Sequence, residues 1–226
     1  MKKNKSVIAI VSIVALGCLI MGITDAIIKP TYVIKSIVKI IFFLVIPMIY
    51  FWKTKEIDIK KIIVPNKRGF IIALLLGIAV YVLIIGAYMI LKDIYDFSKI
   101  TGLLTSNVGV NSGNFVFVAI YISFFNSLLE EFFFRGIAFL GMLTYSGKKS
   151  SYMFSSIMFA LYHVAIMIGW FSIGLFLLVM VGLIIGGVLF NYLNEKSGNV
   201  YSSWAVHMFA NFAINTIGFI LFGIIG

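Results

Sequence analysis

Gly69 to Leu91 runs for 23 residues without one charged side chain. Coiled as a helix at 1.5 Å per residue it reaches about 34 Å, enough to cross a hydrocarbon layer of about 30 Å. Further apolar runs lie at 7–27, 34–52, 114–143, 151–169, 171–192 and 200–225. The sequence therefore predicts an all-α fold: a polytopic membrane helix bundle of about seven transmembrane helices. Composition agrees. Of 226 residues 62% are hydrophobic and 12% charged, whereas a water-soluble domain carries roughly 25% charge. Lipid must supply the missing solvent.

The net charge of +10 does not point to nucleic acid, because the basic residues sit between apolar runs and form no continuous basic face. Their distribution instead orients the chain. With the N-terminus cytoplasmic, Lys2, Lys3, Lys5, Lys53, Lys55, Lys60, Lys61, Lys67, Arg68, Arg135, Lys148, Lys149 and Lys196 fall inside, 13 of the 18. Lys29, Lys35, Lys39, Lys92 and Lys99 fall outside. The excess of inside charge is the expected sign for this orientation. Cys18 is the only cysteine, which excludes an intrachain disulfide. The basic start followed by an apolar run also suits a signal peptide, but with six spans downstream a retained first helix is the simpler expectation.

Two connections are substantial. Lys53 to Arg68 is basic, with Pro65 marking the approach to the third span, and Lys92 to Gly113 is polar, broken by Gly102, Gly109 and Gly113. No soluble domain interrupts the spans. One continuous membrane domain is expected, with N-terminal helices and loops over 1–113 and a chemistry-bearing helix core over 114–226. The 114–143 run would extend about 45 Å as a straight helix, so it must tilt, break or emerge from the membrane. Gly182 and Gly186 form a GxxxG pair, read as a close helix contact, and Phe132, Phe133 and Phe134 are read as facing helices or lipid.

Ionisable groups inside a membrane are costly unless paired or hydrated, so three clusters stand out: Glu130-Glu131 with Arg135, Phe159 with His163, and His207 with Asn211. Glu131 and Arg135 are four apart with the acid first, the better orientation for a helical ion pair. Glu130 is turned about 100° away and has no evident local partner. Phe159 and His163 share a face, as do His207 and Asn211, and an imidazole beside an amide is a donor pair suited to an oxyanion. Each cluster also has a plain structural use: one arginine can bind both acids, a histidine can be a hydrogen-bonded core residue, and an asparagine can tie two helices. By helical rise, Glu130 and His163 lie ~18 Å, and His207 ~11 Å, from the cytoplasmic ends of their spans, so one layer can hold all three.

Taken in order, EExxxR, FxxxH and HxxxN on successive hydrophobic helices resemble the CPBP family of intramembrane proteases, named for CAAX prenyl endopeptidases and bacteriocin-processing enzymes and also called Abi. The resemblance covers residues 114–215. It implies that Glu130 is a general base activating water, with His163 holding that water or sharing its proton. His207 and Asn211 would stabilise the oxyanion, while Glu131, Arg135 and Phe159 support them. It leaves the cofactor open. Glu130, His163 and His207 could form a His₂Glu set for a divalent metal such as zinc, but no tight zinc spacing is present, and a metal-free attack fits the same residues. The expected partners are membrane lipid and a hydrophobic or juxtamembrane peptide or protein substrate, and the expected location is a bacterial plasma membrane. Rival readings are a non-proteolytic protein of the same fold, acting in bacteriocin immunity or as a scaffold, and a transporter whose Glu and His residues relay ions or protons.

Overall fold

A computed structural model describes residues 2–64 and 69–225. Pro65, Lys67 and Arg68, used above in the loop and charge readings, lie outside the described residues, as does Gly226. Among the described residues seven helices are long and apolar enough to cross a membrane: α1 (Lys3–Ile28), α2 (Tyr32–Thr54), α4 (Phe70–Leu91), α6 (Phe115–Tyr145), α7 (Lys148–Met167), α8 (Ile173–Ser197) and α9 (Tyr201–Leu221). Two short helices, α3 (Ile59–Ile63) and α5 (Lys99–Val108), lie in the two long connections. No strand occurs among the described residues.

The long α6 is the axis of the molecule. Every residue from Leu129 to Phe139 is buried, the mark of a helix covered on all sides. Its three phenylalanines face other helices, not lipid: Phe133 stacks on Phe43 of α2 at 3.9 Å between centroids, and Phe134 meets Phe159 edge-on at 5.4 Å. Ile10, Val14 and Met21 of α1 join Phe43, Phe51 and Tyr162 around this strip. The outer faces of α1, α2, α4 and α8 keep Leu, Ile and Val side chains exposed, as a lipid-facing surface requires. The most peripheral span is α4. It leans on α9, with Ala73 in a small core beside Val206, and Tyr81 within 3.2 Å of the Thr216 hydroxyl.

Several spans contain wider turns of the i→i+5 type, at Thr24–Ile28, Ile41–Val45, Ile122–Asn126 and Glu131–Gly141. In α2 the cause is local. Pro47 clashes with the carbonyl four residues before it, which belongs to Phe43, and the widened turn Ile41–Val45 absorbs the clash. In α6 the widened turns offset carbonyls from the ordinary ladder, and α9 takes them up. Trp204 Nε1 donates to the Phe124 carbonyl, Asn211 Nδ2 to that of Ile122 and Asn215 Nδ2 to that of Ala119, at 3.1, 3.1 and 3.2 Å.

Two expectations are corrected. Lys35 and Lys39, assigned to the outer side by charge counting, both lie within α2, and Lys39 is buried to 3% exposure. The GxxxG reading also fails. Gly182 and Gly186 have open space where a side chain would be, whereas a Cβ on the neighbouring Gly187 would stand 3.0 Å from the Cα of Ser156. The contact between α7 and α8 is real, but it runs one residue further along the helix. There Asn191 donates to Ser156 Oγ at 3.1 Å and accepts from Ser155 Oγ at 3.0 Å.

Candidate active site

The packing of α6 against α2, α7 and α9 brings the three clusters to one place. Glu130 Oε2 lies 3.7 Å from Nε2 of His207 and 4.0 Å from Nε2 of His163. Its other oxygen, Oε1, accepts from the Lys39 ammonium and from Asn126 Nδ2, the latter at 3.0 Å. Lys39 Nζ in turn donates to Asn126 Oδ1 at 2.6 Å. One carboxylate thus has a cation on one oxygen and two imidazoles facing the other.

Each imidazole is oriented from behind. His163 Nδ1 donates to the Phe159 carbonyl at 2.7 Å, and the Phe159 ring meets the imidazole edge-on at 4.7 Å. His207 Nδ1 donates to Glu131 Oε1 at 2.8 Å. A carbonyl or carboxylate only accepts, so the Nδ1 proton is fixed in both rings and Nε2 of each is the atom presented to Glu130. Glu131 is itself held: Ser203 Oγ donates to its Oε2 at 2.5 Å, and Asn194 Nδ2 donates to that hydroxyl at 2.7 Å.

Arg135 is fully buried and lies 3.2 Å from Glu131 Oε1. Ion pairing is close, yet no guanidinium nitrogen has a hydrogen-bond partner among the described residues. The plane lies instead against the rings of Phe159 and Phe190, at 4.0 and 4.9 Å from their centroids, where cation–π attraction contributes. The two acids therefore divide the work: Glu131 with Arg135 and His207, Glu130 with Lys39 and Asn126.

Asn211 stands one turn beyond His207 on α9, its Nδ2 committed to the Ile122 carbonyl at 3.1 Å. The Glu130 side chain is 4% exposed and that of His163 19%, so the cluster opens on the His163 side. A groove of about 410 Å³ between α1 and α7, lined by Ala15, Cys18, Leu19, Gly22, Met158 and Leu161, contains none of these groups.

Residues 112–213 match the family described as Type II CAAX prenyl endopeptidase Rce1-like. That segment is similar to the CAAX endopeptidases and spans a little under half of the chain. It holds α6 through most of α9, and with them Glu130, Glu131, Arg135, Phe159, His163, His207 and Asn211. No curated protein and no solved structure matches the chain. With seven helices long and apolar enough to cross a membrane among the described residues, the chain is a multi-pass membrane protein, and its matched segment is similar to a family typically of proteases.

Charge, more than spacing, argues against a metal on Glu130, His163 and His207: a lysine ammonium already lies on the Glu130 carboxylate. Tetrahedral zinc ligands at about 2.0–2.2 Å stand roughly 3.4 Å apart, only a few tenths of an ångström closer than the 3.7 and 4.0 Å found here. Among the described residues no group of three His, Cys, Asp or Glu is arranged to hold an ion.

Three participants escape a motif-based reading. Lys39 is 91 residues from Glu130, and charge counting absorbs it. Asn126 and Ser203 were within reach, since each lies four residues before a motif residue, Glu130 and His207 respectively.

Proposed function

We propose that the chain is an intramembrane endopeptidase, hydrolysing a peptide bond in a hydrophobic or juxtamembrane substrate by attack of a Glu130-activated water. The observation that carries this reading is Glu130 Oε2 facing Nε2 of both His163 and His207 inside an apolar bundle. A separation of 4.0 Å is one that a single water spans with two hydrogen bonds of about 2.8 Å. Such a water donates to Glu130 Oε2 and to His163 Nε2, leaving an oxygen lone pair free to attack.

In the attack, the water oxygen bonds to the scissile carbonyl carbon and its proton passes to Glu130. The carbonyl oxygen becomes an oxyanion. His207 meets it through Nε2–H when the ring carries both protons, with Glu131 as counter-ion, and the second amide hydrogen of Asn211 is the other donor. As the C–N bond breaks, the proton on Glu130 goes to the departing nitrogen, giving an amine and a carboxylic acid that keeps the water's second proton until it ionises. General-base catalysis of this kind contributes about 10²–10⁴-fold, and one oxyanion donor about 10²–10³-fold. In this reading, residues 114–226 are the catalytic core, 1–113 complete the membrane domain, and the protein sits in a bacterial plasma membrane.

The test is cleavage by purified, lipid-embedded protein of two probes: a farnesylated quenched-fluorescence peptide with a CAAX terminus, and an unprenylated signal-anchor peptide. We expect cleavage of at least one probe, unaffected by a chelator and abolished separately by Glu130→Ala, His163→Ala and His207→Ala. Retained cleavage in the Glu130 variant overturns the mechanism. Ion flux through liposomes without cleavage favours the transporter reading instead.

A further inference from the structure

Lys39 lies outside the segment that matches the family, yet it touches the carboxylate at the centre of the site. The charges around it explain why this contact is specific. Three ionisable residues of α1 and α2 are drawn into the bundle: Asp25, Lys35 and Lys39. Lys35 pairs with Asp25 across the α1–α2 hairpin, Nζ to Oδ1, at 2.5 Å. Lys39, one turn further along α2, reaches across to α6. Arg135 is committed to Glu131, which leaves Lys39 as the cation in contact with Glu130.

The ammonium is enclosed. Glu130 Oε1 and Asn126 Oδ1 accept from it, and the rings of Tyr162 and Phe43 lie 4.8 and 5.5 Å away. An ammonium has three donors and no acceptor, so these contacts satisfy it without water. Their effect on Glu130 is directional. Lys39 and Asn126 both bind Oε1, so the carboxylate cannot rotate to bring that oxygen toward the imidazoles. Oε2 stays the oxygen that faces His163 and His207.

We propose that Lys39 is a positioning residue for the reaction: with Asn126 it pins Oε1 of Glu130, so that Oε2 alone is presented to the water and the imidazoles, and it supplies the counter-charge for a carboxylate enclosed by aromatic rings. This inference rests on the peptidase reading and deepens it. It assigns to the N-terminal helices, outside the matched segment, a part in the chemistry carried by the C-terminal ones. A lysine that merely clipped α2 to α6 would influence stability and leave the turnover of folded protein unchanged.

The experiment measures kcat and KM on whichever of the two peptides the parent cleaves, for Lys39→Met, Lys39→Arg, Asn126→Ala and Glu130→Gln, each in the full chain in lipid nanodiscs. Lys39→Met is expected to lower kcat by about 10²-fold with KM within about twofold, the signature of an interaction needed in the transition state and not for binding. Lys39→Arg keeps the cation and is expected to recover to within about tenfold of the parent, while Asn126→Ala, which removes one of two pins, loses about tenfold. A monodisperse Lys39→Met protein with parental kcat overturns the inference. Should that variant not fold, parental kcat in Asn126→Ala, which removes the second pin on Oε1, overturns it equally. If KM rises while kcat is kept, Lys39 binds substrate and the positioning role is refuted. The two levels separate cleanly. Glu130→Gln at the parental rate, or a parent that cleaves neither peptide, sinks the peptidase reading and this inference with it. A dead Glu130→Gln beside a fully active Lys39→Met sinks the inference alone.

Discussion

Glu131→Gln removes one charge and almost no volume, and the fully buried Glu131–Arg135 pair makes its consequence calculable. The amide can still accept from His207 Nδ1, but Arg135 keeps its charge with no counter-ion and no hydrogen-bond partner among the described residues. Breaking a buried pair from one side costs about 3–5 kcal/mol. The rings of Phe159 and Phe190 remain against the guanidinium, which favours the lower end, about 3 kcal/mol. At about 2–4 °C per kcal/mol for a chain of this size, Tm should fall by roughly 6–12 °C. Cys18 is the single thiol and sits between α1 and α7, so a thiol-reactive fluorogenic dye can follow unfolding. The decisive comparison is the double variant Glu131→Gln with Arg135→Met. Removing both charges should restore most of the lost stability, while cleavage stays depressed by about 10²–10⁴-fold because His207 still lacks its counter-ion. A single variant within about 2 °C of the parent, or a double variant less stable than the single, refutes the division of labour between the two acids.

Gly187→Ala should destabilise by about 1–3 kcal/mol because its Cβ meets backbone at Ser156, whereas Gly182→Ala and Gly186→Ala should be neutral or gain up to about 1 kcal/mol of helix propensity; dye-monitored melting separates them. Asn191→Leu removes two hydrogen bonds, its donation to Ser156 Oγ and its acceptance from Ser155 Oγ, which keeps the Phe134 carbonyl as acceptor, and should cost about 1–3 kcal/mol in the same assay. Ser203→Ala removes one hydrogen bond to the Glu131 carboxylate and should cost about 1.5–3 kcal/mol. It should also slow cleavage less than Glu131→Gln does, since the charge behind His207 remains; equal loss of rate in a steady-state assay contradicts the order of the relay.

The spans were legible because lipid imposes a length on any crossing helix, and a run such as Gly69–Leu91 has no other home. The pairing of Glu131 with Arg135 and the edge-on contact of Phe159 with His163 were legible too, being fixed by helical periodicity within one span. What periodicity cannot give is the partner across the bundle. Glu130 has no local cation, and the one it takes lies on α2, among lysines that a topology count treats as loop charges. The widened turns were hidden for a related reason. Around the first of them in α6, Trp204, Asn211 and Asn215 reach over from α9 to donate to the carbonyls of Phe124, Ile122 and Ala119, an interaction of tertiary structure alone. The glycine contact was missed by one position, because spacing identifies a small-residue pattern and only packing identifies the face that is used.

The Lys39–Glu130 contact also places a demand on biogenesis. The two residues are 91 positions apart, so at about 5–20 residues per second the ribosome delivers the acid roughly 5–18 s after the base. Throughout that interval α2 must hold a lysine in or beside the bilayer with Asp25 as the nearest acid yet made, and Lys35 competes for it. The early hairpin is therefore expected to reach its final depth only when α6 arrives. A chain truncated before Glu130 should leave α2 shallower in the membrane than the finished protein does.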